Sequence, residues 1–301
     1  MQLQQTVRKN YSFEGKGLHT GKVAKMTICP APVDTGIRFR RVDIGEDAFV
    51  DALAENVSNT ARSTTISCGA ASVSTIEHVM SALTGMGVDN ALIDIDNVEV
   101  PILDGSAKPY VDAMWADGFQ QQDAPRRYVE VKEVIEVVNE EKGSVVRIEP
   151  AEEFSYEIKV DFNSRVLGVQ TARWDDSVVY AEEIGICRTF VFFHELEFLF
   201  NNGLVRGGDV DNAIVIVEHP VTKEQVDRMS RLFDVPALTV REDGYLSNLQ
   251  LRFPNECSRH KLLDLIGDLR LAGGFLKAKV TAEKAGHGIN TRAAAKIRSK
   301  K

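Results

Sequence analysis

Apolar and polar positions alternate along this chain in short segments. The runs Val23 to Cys29, Gly36 to Val42, Ala91 to Ile95, Tyr128 to Val138, Ser144 to Ile148 and Tyr156 to Phe162 alternate, or stay apolar, over strand-like lengths and predict β-strands. Between them the period lengthens. Val79, Met80 and Leu83 would bury one face of a helix that opens on the capping-box pattern Ser74-Thr75-Ile76-Glu77 and ends at Gly85 and Gly87. Further helical patterns lie around Ala181 to Ile186, Thr222 to Phe233 and Ser258 to Leu271. The polar stretch Gly118 to Arg127, with its glutamine run and Pro125, cannot support a core and reads as a linker between domains 1–123 and 124–301. Strands and helices cluster within each half instead of alternating, which predicts an α+β fold. Each half carries several strands and then an amphipathic helix with a metal-ligand candidate, so a duplicated architecture with its site in the cleft between domains is expected.

The 301 residues suffice to bury cores without metal or disulfide staples, so a bound metal here would serve catalysis. Asp and Glu number 44 against 36 Lys and Arg, a balance that argues against a nucleic-acid partner while leaving room for a local basic pocket. Cys29, Cys68, Cys187 and Cys257 are scattered and form no CxxC pair, which favours a reducing compartment. No basic segment followed by an apolar one opens the chain, and no apolar run reaches the ~20 residues of a membrane span. These features predict a soluble, cytoplasmic protein.

The chemistry concentrates on a few residues. His260 and Asp264, four apart, share one helix face, and Leu262, Leu263, Leu265, Ile266 and Leu269 make that helix apolar almost all round. Polar side chains set in such a helix need partners; the ordinary alternative is a hydrogen bond on a helix surface. With His78 they would make three protein ligands and leave Zn²⁺ an open position for water. Glu77 either completes the capping box or stands beside the metal as a base. His287, between Gly286 and Gly288, sits in what reads as a tight, accessible loop, either as a plain loop histidine or as the donor of a proton to a leaving amine. Asp268, one turn past Asp264, would orient that imidazole or cap a surface charge. Phe13 to Gly21 and Arg206 to Asp209 are glycine-rich without dinucleotide or P-loop spacing. Cys257 and His260 have C-x-x-H spacing but no second pair, His194 and His219 read as structural, and Lys296 to Lys301 as a solvated, frayed tail.

Several segments are distinctive when taken together: Gly17-Leu-His-Thr-Gly21, Pro30-Ala-Pro32, Ser74-Thr-Ile-Glu-His78, Pro101-Ile-Leu-Asp-Gly-Ser106, Cys187-Arg-Thr-Phe190, His260-Lys-Leu-Leu-Asp264 and Gly286-His287. In this order the chain resembles, over nearly its whole length, the zinc-dependent UDP-3-O-acyl-N-acetylglucosamine deacetylases of lipid A biosynthesis. The resemblance implies two α+β domains of similar topology, each layering sheet and helix, with the active site at their interface. It implies Zn²⁺ on His78, His260 and Asp264, Glu77 as general base, His287 as general acid and Asp268 as its orienting partner. Thr189 then steadies the tetrahedral intermediate, Lys261 binds substrate near the pyrophosphate, Phe190 packs on the sugar, and residues 190–217 form a passage for the acyl chain. The substrate would be a small molecule, with acetate and the free amine as products.

Three departures stand beside this. Residues 218–255 are longer than in many relatives. The chain stops soon after His287, where many relatives continue and some carry a fused acyl-carrier-protein dehydratase domain, and a second activity is neither expected nor excluded on that ground. Ser63 aligns where some relatives have cysteine. Two other functions remain open: a zinc amidase for a different N-acetylated sugar, which needs no acyl passage, and a non-enzymatic UDP-sugar binder, in which Glu77 and His287 would be dispensable.

Overall fold

The computed structural model describes residues 2–201, 206–209, 211–232 and 235–300. Two sheets organise it, and they have the same plan. In the first, the strand order is Tyr11–Lys16, Val23–Pro30, Ala91–Ile95, Ile37–Arg41, Phe49–Asp51. Two antiparallel hairpins flank the strand that comes last in sequence, which runs antiparallel to Val23–Pro30 and parallel to Ile37–Arg41. In the second, the order is Ile135–Asn139, Ser144–Pro150, Phe275–Glu283, Ser155–Asp161, Val169–Trp174, with the same directions throughout. This is the α+β fold that the clustering of strands and helices predicts.

The helices are α1 (Glu77–Gly85), α2 (Lys108–Trp115), α3 (Tyr180–Glu183), α4 (Phe193–Asn201), α5 (Lys223–Leu232), α6 (Glu256–Leu269) and α7 (His287–Arg298). α1 and α2 bracket the last strand of the first sheet, as α6 and α7 bracket that of the second. α1 and α6 are apolar nearly all round because they pack on each other between the halves. Val79, Met80, Leu83, Leu262, Leu263, Leu265, Ile266 and Leu269 are all fully buried in one continuous core. Gly267 lets the helices approach this closely: a Cβ there would lie 2.1 Å from the Glu77 carbonyl oxygen. α4 and α5 belong to an insertion with its own small core of Phe193, Leu196, Val215, Val217, Val226, Met229 and Leu246. Of the segment 218–255, Val226, Met229 and Leu246 belong to this core. Among the described residues no helix is long and apolar enough to cross a membrane.

Four expectations change. The polar stretch from Gly118 is no linker: Phe119–Pro125 is a strand paired antiparallel with Leu3–Val7. Side-chain amides do there what apolar burial does elsewhere, Gln122 accepting from Asn90 at 2.8 Å and donating to the Ala31 carbonyl at 2.8 Å. The run Tyr128 to Val138 is split, Tyr128–Glu130 pairing with Phe275–Glu283 and Ile135–Asn139 with Ser144–Pro150. The capping box does not form. Ser74 donates to the Val98 carbonyl, and Thr75, at φ 59°, donates to the buried carboxylate of Glu99, so no side chain caps α1 and Glu77 is left for other partners. The basic tail is largely α7, anchored by the buried Ile297 and by Arg298 paired with Glu55; Lys301 lies outside the described residues.

Candidate metal centre and active-site cavity

The four-residue spacing on α6 puts His260 and Asp264 side by side, and α1 delivers His78 from the other half of the chain. Their ligand atoms all lie within 4.8 Å of one another. His260 Nε2 and His78 Nε2 stand 3.5 and 3.7 Å from Asp264 Oδ1, and the two imidazoles meet edge to face at 5.0 Å. Burial pushes both histidines below their ordinary range, His78 to about 3 with His260 adding to the effect. Both rings are therefore neutral, the form in which a ring nitrogen can bind a cation. His260 Nδ1 lies 3.0 Å from the Cys187 carbonyl, which can only accept, so Nδ1 carries the proton and the Nε2 lone pair faces Asp264.

Asp264 Oδ2 accepts from Lys261 Nζ at 2.7 Å, but Oδ1 is buried without a hydrogen-bond partner. Burial, the largest single influence, opposes ionisation of Asp264, but Lys261 and the surrounding imidazoles together outweigh it and hold the carboxyl well below the usual range. An orphaned carboxylate oxygen facing two neutral imidazoles is costly unless a cation sits among them. The donor set fits a divalent metal.

A second cluster adjoins the first. Glu77 is buried; its Oε2 accepts the Thr64 N–H at 3.0 Å, and its Oε1 lies 3.9 Å from His287 Nε2. Burial raises the Glu77 carboxyl to about 7. His287 is not in an exposed loop. Extended backbone at Gly286 starts α7, so His287 is its first residue and its imidazole turns inward, the side chain only 10% exposed. Its Nδ1 lies 3.0 Å from Asp268 Oδ2. Asp268 is itself buried and also accepts from the Thr64 hydroxyl at 2.6 Å and the Asn290 amide at 3.0 Å. Burial alone would lower the His287 imidazolium, but Asp268 and then Glu77 raise it to about 9.

A cavity of about 260 Å³ joins the clusters, bordered by Glu77, His78, Thr189, Phe190, His260, Lys261, Asp264 and His287. Asp268, the remaining candidate, stands behind His287. Thr189 is held by its N–H to the Gly105 carbonyl at 2.9 Å and by its carbonyl, which accepts from the Ile214 N–H at 2.8 Å. Lys261 Nζ stands 5.6 Å from the centre of the Phe190 ring. A second space of about 110 Å³ continues past Thr189 and Phe190 between Val191, Leu196, Leu199 and Val215. Residues 202–205 and 210 of the expected acyl passage lie outside the described residues.

Thr64 and Asn290 were not foreseen, because a single hydroxyl or amide without distinctive spacing leaves no trace in one sequence. Cys257 takes no part in the metal group; it is buried with Leu167, Ile214, Ile216 and Tyr245. His194 and His219 are exposed, their rings 5.5 Å apart, and border neither space.

Comparison with known proteins agrees with this geometry. A family model described as UDP-3-O-acyl N-acetylglycosamine deacetylase matches residues 4–233 and 235–299. A bifunctional enzyme LpxC/FabZ of Porphyromonas gingivalis is 42% identical over 298 residues, 99% of this chain and 64% of that protein. Its counterpart in Bacteroides thetaiotaomicron is 40% identical, with 98% and 64% covered. The UDP-3-O-acyl-N-acetylglucosamine deacetylase of Teredinibacter turnerae is 39% identical, with 95% and 87% covered. The chain thus spans 64% of the length of the two bifunctional relatives. With its triad, its adjoining carboxylate and histidine, and a match from end to end, the chain belongs to the UDP-3-O-acyl N-acetylglycosamine deacetylase family.

Proposed function

We propose that this chain hydrolyses the acetamide of UDP-3-O-(3-hydroxyacyl)-N-acetylglucosamine, with Zn²⁺ as its metal, releasing acetate and the free amine in the cytoplasm. The observation that carries this reading is the meeting of a metal triad, a buried carboxylate and a carboxylate-backed histidine around one cavity that opens on an apolar space. Two neutral imidazoles and one carboxylate are a donor set suited to catalytic Zn²⁺. Held by His78, His260 and Asp264, the ion would polarise the acetamide carbonyl and acidify water.

The protein's own groups do the rest. Glu77 Oε1 accepts a proton from the attacking water as the C–O bond forms. The Thr189 hydroxyl donates to the carbonyl oxygen as negative charge gathers there, a bond that strengthens along the reaction. His287 Nε2 then protonates the amine nitrogen as the C–N bond breaks, and Asp268 keeps the imidazole charged and aligned until it does. Lys261 and Phe190 hold the sugar and its phosphates. On the far side of His287 a cleft of about 630 Å³ carries Lys142, Lys284 and Arg292, cationic groups that suit the UDP moiety.

This division of labour sets the pH dependence. A donor must be protonated, so activity should fall as pH rises through the His287 pKa of about 9. Asp268 is the largest contributor raising that value, so Asp268→Asn should move the alkaline fall towards the ordinary histidine value of ~6.5. A kcat/KM profile whose alkaline limb stays in place in the variant would count against His287 as the acid.

Acetate release from the acylated sugar and from the same sugar without its acyl chain, each with and without a chelator, tests the function itself. Chelator-sensitive turnover that strongly prefers the acylated sugar is expected. Equal turnover of both would favour an amidase for other N-acetylated sugars; none with either would leave a binding protein.

A further inference from the structure

We propose that Arg62 reads the first polar atoms of the acyl chain, the ester carbonyl and the 3-hydroxyl, and so sets the preference for a 3-hydroxyacylated sugar. This rests on the deacetylase reading above. Arg62 lies in the loop between the strands Val57–Asn59 and Thr65–Cys68. Its φ is 68°, left-handed backbone that suits glycine and that an arginine adopts reluctantly. Its side chain is exposed, and no hydrogen bond or ion pair ties it to the described residues. Among the described residues, no contact of this kind calls for arginine at this position. A non-glycine residue in left-handed backbone beside a cavity points towards function.

Its location supplies that function. Arg62 borders both the metal-site cavity and the apolar space beyond it, at the junction shared with Thr189 and Phe190. In the substrate, the acetamide and the acyl ester sit on adjacent sugar carbons. With the acetamide at the metal ligands, the ester must enter the apolar space at this junction. Val191, Leu196, Leu199 and Val215 suit methylenes but offer no side-chain donor; His19 borders the same space, but of its basic side chains Arg62 is the one that also borders the metal-site cavity, where the ester enters. At that entrance the ester carbonyl and the hydroxyl lose water and need donors, and the Thr189 hydroxyl is already assigned to the acetamide oxygen. A guanidinium has donors to spare and can serve both oxygens at once.

The test compares the wild type with Arg62→Gly on two substrates. One is the 3-hydroxyacyl ester; the other is a 3-O-alkyl ether of equal chain length, which keeps the methylenes but lacks both acceptors. The wild type should prefer the ester. In Arg62→Gly the ratio of kcat/KM for ester over ether should fall by ~10- to 100-fold, the range for a hydrogen bond from a charged donor. Its thermal midpoint should equal or exceed that of the wild type, because glycine accepts the left-handed backbone. An unchanged ratio would overturn the proposal, whether both substrates keep their rates or both lose them equally, as they would if Arg62 served the pyrophosphate common to both. Wild-type enzyme that turns over neither substrate would instead remove the deacetylase reading, and this proposal with it.

Discussion

Asp264→Ala is expected to strip the protein of its metal and abolish acetate release. Asp264 supplies the single anionic ligand of the triad, and its Oδ1 is the atom left without a hydrogen-bond partner. Its removal leaves two neutral imidazoles, and it also frees Lys261, whose ammonium now bonds Asp264 Oδ2 at 2.7 Å, to repel a cation beside it. Both changes act in the same direction. The loss of metal affinity should exceed the ~10- to 100-fold typical of removing a group that merely supports a ligand. Metal content by atomic absorption after dialysis gives the answer; a full equivalent retained by the variant would contradict the ligand assignment.

Glu77→Gln should separate chemistry from metal binding. The amide keeps the shape of the carboxylate and can still accept the Thr64 N–H, but it cannot take a proton from water. We expect kcat to drop by ~10²–10⁴, the usual scale of general base catalysis, with the metal still bound. Wild-type turnover in this variant would remove Glu77 from the mechanism. The two variants together distinguish a protein without its ion from one that holds the ion but lacks the base.

Much of the site could be read from local spacing. A helix converts a separation of four residues into adjacency, so His260 and Asp264 could be paired before any coordinates. His78, which lies on another helix, could be put forward as their partner by residue type, but that the three meet could not be read from spacing, because the packing of α1 on α6 is a long-range result. The errors share a cause: a local pattern was outweighed by a distant partner. Glu99 takes the Thr75 hydroxyl that the capping-box reading left free, Asn90 and Ala31 hold Gln122 in a strand where composition suggests a linker, and Asp268 with Glu77 draws His287 inward from what looks like an open loop. Thr64 shows the limit most plainly. It touches both Glu77 and Asp268, yet one threonine among many carries no mark of that.

Gly267 matters to anyone who would make this protein more robust. Exchanging a mid-helix glycine for alanine is a standard stabilising step, because it relieves roughly 0.5–1 kcal/mol of backbone cost. In α6 that exchange would drive a methyl group into the carbonyl of Glu77 and shift the residue that bears the proposed base. The site most inviting to an engineer by helix propensity is therefore the one where a gain in ruggedness would be taken from catalysis.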